Sequence, residues 1–327
     1  MRREIKVLSW ALNNFLLGRD FLPVYVTLKV TSRCNLSCTF CSPEYYEGRI
    51  PELSTEKMKK VIDNISKSSV IVVSFEGGEP TLRKDIDELL RHAHNGSLYT
   101  FMTTNGTLLN EEIISKVSDY LDFLHVSIDE YHWNTHLFER LSWLKEMGLK
   151  VTVQTVVTRY NMKKLGEKVR KVNEVGYRIL VLPAVDYPNS KVKLSPNPFE
   201  LSKVLEDIKR EYSFTLVNSW GFIKALRGEI KPKIRPYSHA LTVLPNGTLI
   251  YPNDIVGEPI GNLVEEDLME LVSSEKAKKM REIAIKRMHD YEYLHLQTAS
   301  FNSFLDSLSY AKEMFKWKYL ANGKKTK

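Results

Sequence analysis

From residue 25 onward, short apolar runs alternate with longer stretches in which apolar residues return every three or four positions. The runs at 25–30, 70–75, 98–103, 122–128, 151–157 and 178–183 are rich in β-branched and aromatic residues and have the length of buried strands. The intervening stretches at 55–68, 84–94, 110–118, 134–147 and 161–175 carry helical periodicity. Thr55 before Glu, Asn110 before Glu-Glu, and Asn161 mark helix starts. Strands alternating with helices in this way predict an α/β fold, a parallel sheet assembled through crossover connections.

The pattern changes after residue 184. Pro188, Pro196 and Pro198 lead into a helix over 198–211, a short strand at 214–217 and a helix over 219–227. Residues 240–251 then read as a hairpin about an Asn246-Gly247 turn. Ile260-Gly261-Asn262-Leu263 follows, and charged helices are expected over 264–287 and 298–320. At the other end, residues 5–17 form an amphipathic pattern with Val7, Leu8, Ala11, Leu12 and Phe15 on one side. Two readings stand: a helix packed on the main body, or an interfacial helix in contact with a membrane, aided by Arg2, Arg3 and Lys6. The expected organisation is an N-terminal helix (1–20), an α/β part (21–184) and a C-terminal extension (185–327).

Composition sets outer bounds. With 327 residues, 43% hydrophobic and 27% charged, the chain builds a full core and is not disordered. A net charge of +7 is compatible with an anionic substrate, a nucleic acid or a membrane surface and selects none of them. No aromatic-interleaved basic stripe marks a nucleic-acid site. No apolar run reaches transmembrane length, and the N-terminal stretch lacks a small-residue cleavage site. A cytoplasmic location is expected, with membrane association through residues 5–17 as the second reading.

The chemistry concentrates in two segments. The only three cysteines are Cys34, Cys38 and Cys41, in a C-x3-C-x2-C run. A [4Fe–4S] cluster usually takes four thiolates, so three leave one iron open to a small chelating molecule. A partial zinc site and buried inert thiols are the alternatives. Zinc favours paired C-x2–4-C motifs or histidines, and no histidine is near the run. Inert thiols leave the clustering unexplained. The second segment, Phe75-Glu76-Gly77-Gly78-Glu79-Pro80, follows the second expected strand. Glycine there permits close approach of a ligand to the backbone. Thr103-Thr104-Asn105-Gly106 and Ser127-Ile128-Asp129 close the third and fourth strands with groups suited to a ribose diol and an amino-acid carboxylate; helix caps and turns are the plain alternative. His132 and His136 stand four apart at a helix start, a spacing that admits a metal but fits structural roles better. The C-terminal aromatics (Tyr291 to Tyr319) read as a packed helix face.

Together the cysteine run and the Gly-Gly-Glu segment resemble the signature of the radical S-adenosylmethionine (SAM) enzymes. The resemblance implies a partial (β/α)6 barrel with the chemistry at the C-terminal ends of its strands. It implies Cys34, Cys38 and Cys41 as ligands of a [4Fe–4S] cluster whose open iron binds SAM, and electron transfer that splits the sulfonium to a 5′-deoxyadenosyl radical. It assigns Phe40, Gly77, Gly78, Glu79, Thr104, Asn105, Ser127 and Asp129 to the cofactor, and an electron donor such as ferredoxin or flavodoxin as partner. The C-terminal third resembles the SPASM or twitch extension of such enzymes, but its cysteines are missing: Ser238 stands before the hairpin and Pro252-Asn253 after it. Without an auxiliary cluster, a lipid or isoprenoid or a small metabolite is the favoured substrate. Peptide modification, RNA modification and a non-catalytic Fe–S or SAM-binding role are the alternatives.

Overall fold

The computed structural model describes residues 3–11, 13, 22–41, 47–186, 192–230, 241–254 and 257–289. Leu12, Phe15, Pro188, Ser238, the aromatics from Tyr291 to Tyr319 and the helix expected over 298–320 lie outside these residues, as do the side chains of Leu8 and Ala11. Contacts divide the chain into two compact units: residues 1–154 with 235–288, and residues 155–234 with 289–327. The first unit takes in the hairpin after residue 240, and the second begins within the α/β part, at residue 155.

The first unit is built on parallel strands β1 (Tyr25–Thr31), β2 (Val72–Gly77), β3 (Tyr99–Thr104), β4 (Phe123–Ser127) and the first part of β5 (Val151–Val157). Each of the first four strands is followed by helical structure. α1 (Arg3–Ala11) precedes β1. The connections are α2 (Thr55–Lys67), α3 (Ile86–Asn95) and α4 (Glu111–Val117), then a 3₁₀ turn leading into α5 (Leu141–Glu146). α2 shows why these segments are helices. Ser54 Oγ caps its N-terminus by accepting the Lys57 N–H. Met58, Val61, Ile62 and Ile65 fall on one face and are fully buried, each worth roughly 1.5–3 kcal/mol. Asn110 caps α4 as expected, accepting the Ile113 N–H at 2.9 Å.

The second unit contains the end of β5, then α6 (Leu165–Val175), β6 (Arg178–Pro183), α7 (Pro198–Glu211) and α8 (Trp220–Leu226). The strand expected at 214–217 is reduced to one parallel bridge between Leu216 and Ile179. Asn197 caps α7 with Pro198 at its first position.

Strands β7 (Leu241–Val243), β8 (Thr248–Tyr251) and β9 (Glu258–Asn262) belong to the first unit, as do α9 (Leu268–Ser273) and nearly all of α10 (Glu275–His289). β7 pairs parallel with β1, Thr27 facing Thr242, so the sheet order there is β5-β4-β3-β2-β1-β7-β8-β9. The expected hairpin turn is present. Gly247 has φ +85°, and a Cβ on it would lie 2.7 Å from Asn262 Oδ1.

α1 lies at the N-terminal ends of the strands. Arg3 pairs with Asp122 at 2.9 Å, just before β4, and its guanidinium lies 4.9 Å from the Tyr99 ring centroid at the start of β3. Lys6 is buried and donates to Ser66 O and Val70 O, just before β2. Arg3 and Lys6, which the membrane reading set against anionic lipid, are therefore occupied by the body of the protein. The helix sits at the opposite end of the strands from the cysteines. Ile5 and Val7 remain exposed. Among the described residues no helix is long and apolar enough to cross a membrane.

Candidate active site

The chain leaves β1 at Thr31 and turns across the C-terminal ends of the strands. Thr31 Oγ1 accepts the Arg33 N–H and donates to Glu52 Oε1 at 2.5 Å. Arg33 pairs with the same carboxylate at 2.8 Å. This anchors the first cysteine. Cys34 Sγ accepts N–H groups from Leu36 (3.4 Å) and from Asn105 Nδ2 (3.9 Å), and the Cys41 N–H donates to Cys38 O at 2.9 Å. Cys38 is buried and the other two are half-buried. All three line one cavity of about 160 Å³, together with Gly77 and Gly78.

The thiols need a cationic group to be stable as thiolates. Burial pushes Cys38 up to about 12, helped by Cys41, Cys34 and Asp129, and burial also raises Cys34. Thiolates gathered in a half-dry pocket repel one another, and iron relieves that repulsion. Among the described residues no three His, Cys, Asp or Glu side chains converge on a single-ion site; the cysteines surround a chamber instead. The donor set fits a multi-iron cluster with three protein ligands.

The Gly-Gly-Glu segment divides its labour. A Cβ on Gly77 would lie 2.3 Å from Thr31 O, so glycine is required there by the approach of β1. Gly78 N–H donates to Thr31 O and Glu79 N–H to Arg33 O, which binds the strand end to the cysteine loop. The Glu79 side chain turns away from the cavity. Its Oε1 accepts from Thr81 N, Thr81 Oγ1 and Thr104 Oγ1, and its Oε2 accepts the Asn105 N–H at 2.8 Å. Burial pushes its pKa up against those bonds. Glu79 is a brace between the ends of β2 and β3.

Asp129 is a second brace. It is fully buried, accepts N–H groups from Tyr131 and His132 on Oδ1, and lies 2.9 Å from His132 Nδ1 through Oδ2. His132 lines the cavity and meets the Phe40 ring edge-on at 5.1 Å. Of the eight residues expected at the cofactor, Phe40, Gly77, Gly78, Thr104, Asn105 and Ser127 line the cavity, and Glu79 and Asp129 stand behind it. His136 is not among the lining residues.

Sequence reasoning missed the inward row beneath these groups. Strand register places Lys29 beside Glu76 and Thr103 beside His125. Contacts confirm that the side chains share a face: Phe101 meets Tyr25, Phe123 and His125, and His125 Nδ1 lies 2.9 Å from Gln154 Nε2. An aromatic floor thus carries a polar row. Burial holds His125 down to about 4, so it is neutral near pH 7. Lys29 pairs at 2.8 Å with Asp254, which follows β8; burial opposes that carboxyl's ionisation, but Lys29 prevails and keeps it below its ordinary range. Glu76 accepts a hydrogen bond from Ser74 and opens on the cavity, while burial raises its pKa. Thr103 Oγ1 is buried without a partner of hydrogen-bonding geometry, although it lies near enough to Glu76 to favour the ionised form. The available signal was the polar residue at alternate positions of each strand.

Residues 28–183 match the model of the radical SAM superfamily. PqqA peptide cyclase of Bradyrhizobium diazoefficiens is 35% identical over 159 residues, 44% of this chain and 42% of that protein. Fe-coproporphyrin III synthase of Methanosarcina barkeri is 31% identical over 159 residues, 45% of this chain and 40% of that protein. The chain thus matches less than half the length of these curated relatives. The crystal structure of Streptococcus suis SuiB bound to S-adenosylmethionine shares the fold, with a TM-score of 0.66 and 17% identity over 79% of this chain and 68% of that one. Residues 28–183, which carry the cysteine loop and the Gly-Gly-Glu strand end, are thus the part of the chain that matches the radical SAM superfamily.

Proposed function

We propose that this protein is an enzyme that cleaves SAM reductively and acts on a polar organic substrate. The observation that carries the reading is the meeting of three thiols and the Gly77-Gly78 strand end in one cavity. Cys34, Cys38 and Cys41 would hold a [4Fe–4S] cluster, and Gly78, Thr104, Ser127 and the Phe40 edge would line the space for SAM. When bound, cluster and SAM supply one-electron cleavage of the sulfonium and a 5′-deoxyadenosyl radical. Ferredoxin or flavodoxin would donate the electron.

The chain's own residues perform the remaining tasks. Glu79 fixes the end of β2 to that of β3, and Asp129 holds the His132 ring beside Phe40. The Asn105 amide donates to Cys34 Sγ. The cavity continues onto the polar row of Glu76 and Thr103. This lining supports a polar substrate over the lipid or isoprenoid first expected, since apolar matter there would leave charged and hydroxyl groups unsatisfied. Kinship to PqqA peptide cyclases supports a peptide, and kinship to Fe-coproporphyrin III synthase a polar small molecule. We read the β7–β8 hairpin and β9 as the remnant of a SPASM or twitch-like extension. No cysteine follows Cys41 to ligate a second cluster.

The test is anaerobic reconstitution followed by reduction with dithionite in the presence of SAM. Formation of 5′-deoxyadenosine, lost in Cys38→Ala, supports the enzyme. A loaded cluster that leaves SAM intact would point to a non-catalytic Fe–S protein.

A further inference from the structure

We infer that Glu76 anchors a positively charged nitrogen of the substrate, an ammonium or guanidinium group. The inference rests on the reading of the cavity as the reaction chamber and names the substrate class for it.

Glu76 immediately precedes Gly77-Gly78 and lines the same cavity as the three cysteines. A substrate in that chamber meets its carboxylate close to the cofactor side of the barrel.

Charge is the second step. Lys29, the register neighbour of Glu76, is engaged with Asp254 at 2.8 Å. Lys29 still favours the ionised form of Glu76, whose own hydrogen bond comes from the Ser74 hydroxyl at 2.8 Å. Burial, with Asp254 nearby, raises the Glu76 pKa above its ordinary range, so Lys29 alone does not fully compensate the carboxylate. His125 in the same row is held neutral by burial and does not offset it. Burial disfavours the ionised carboxylate until a partner arrives. An arriving cation removes that cost, whereas an anionic or apolar group adds to it.

Hydrogen-bonding capacity is the third step. Thr103 Oγ1 is buried beside Glu76 without a partner of good geometry. A nitrogen cation carries several N–H donors, enough to reach the carboxylate and this hydroxyl together. The Thr103 hydroxyl is near enough to favour the ionised Glu76 but lacks a hydrogen bond of good geometry, which a group binding there would supply.

The test uses the reconstituted protein with SAM bound and four probes of similar length: n-butylammonium, n-butylguanidinium, n-butyrate and n-butanol. Calorimetric titration should show the two cations binding at least about tenfold more tightly than the other two. Glu76→Gln, which preserves shape, should abolish that preference while iron content and SAM affinity hold. Equal binding of all four probes overturns the proposal without recourse to a variant, and so does a preference that survives in Glu76→Gln. Loss of SAM affinity in Glu76→Gln with the cation preference intact would make Glu76 a cofactor contact instead. If SAM is not cleaved by the wild type, the enzyme reading fails. If SAM is cleaved and no cation preference appears, only this inference fails.

Discussion

Asn105 Nδ2 donates to Cys34 Sγ across 3.9 Å, while the backbone N–H of the same residue is held at 2.8 Å by the buried Glu79 carboxylate. A residue at the end of β3 is thereby locked against the loop that follows β1. Hydrogen bonds to a cluster's sulfur atoms help set its reduction potential, because they stabilise the more negative reduced state. Asn105→Ala should therefore lower the cluster's potential while about four irons per chain are retained. An EPR-monitored redox titration checks it; an unchanged potential would show that the Leu36 N–H suffices.

Glu79 should act on stability before it acts on chemistry. Its removal strands N–H or hydroxyl donors of Thr81, Thr104 and Asn105. Glu79→Ala should cost about 3 kcal/mol in denaturant unfolding. A variant of wild-type stability that binds no SAM would place the carboxylate at the cofactor instead.

The two glycines should separate. Gly77→Ala places a Cβ against Thr31 O and should lower both folding yield and iron loading. Gly78→Val should keep its iron and lose SAM affinity, because Gly78 faces the cavity. Iron analysis alongside SAM titration distinguishes the two; loss of iron in both variants would make the pair structural throughout.

His125 predicts a pH dependence. Its folded-state value is near 4 against an ordinary 6.5, so below 6.5 the unfolded chain binds more protons. The stability it contributes is complete above pH 6.5 and is lost as pH falls toward 4, by on the order of 2–3 kcal/mol. Unfolding curves between pH 7 and pH 4.5 should show this slope in the wild type and a weaker one in His125→Gln.

Much of the fold was legible because local signals and burial agree. The strands and helices of residues 25–183 stand within a few residues of their expected limits, and Asn110 caps its helix as read. The cysteine loop was legible because nothing structural gathers three thiols in one short loop. Glu79 and Asp129 read from the sequence as ligand contacts at strand ends; Asp129 braces His132, three residues on, and the bracing bond of Glu79 to Asn105 was not legible because it joins segments brought together only by the fold. The row of Lys29, Glu76, Thr103 and His125 was hidden because register between strands many residues apart leaves no local trace. The pairing of β7 with β1 joins Thr27 to Thr242 and was illegible for the same reason. Of the two readings of the N-terminal helix, packing on the body gains support from the bonds of Lys6 to the Ser66 and Val70 carbonyls, which no local sequence signal marks.

The central claim is a cluster held by three cysteines, with one iron left for SAM. Its most direct test is the EPR spectrum of the anaerobically reduced, reconstituted protein with and without SAM. The account predicts about four irons per chain, a signal that changes on adding SAM, and loss of that response in Cys34→Ala, Cys38→Ala and Cys41→Ala alike. A spectrum indifferent to SAM, or a response that survives loss of any one of the three cysteines, would contradict it.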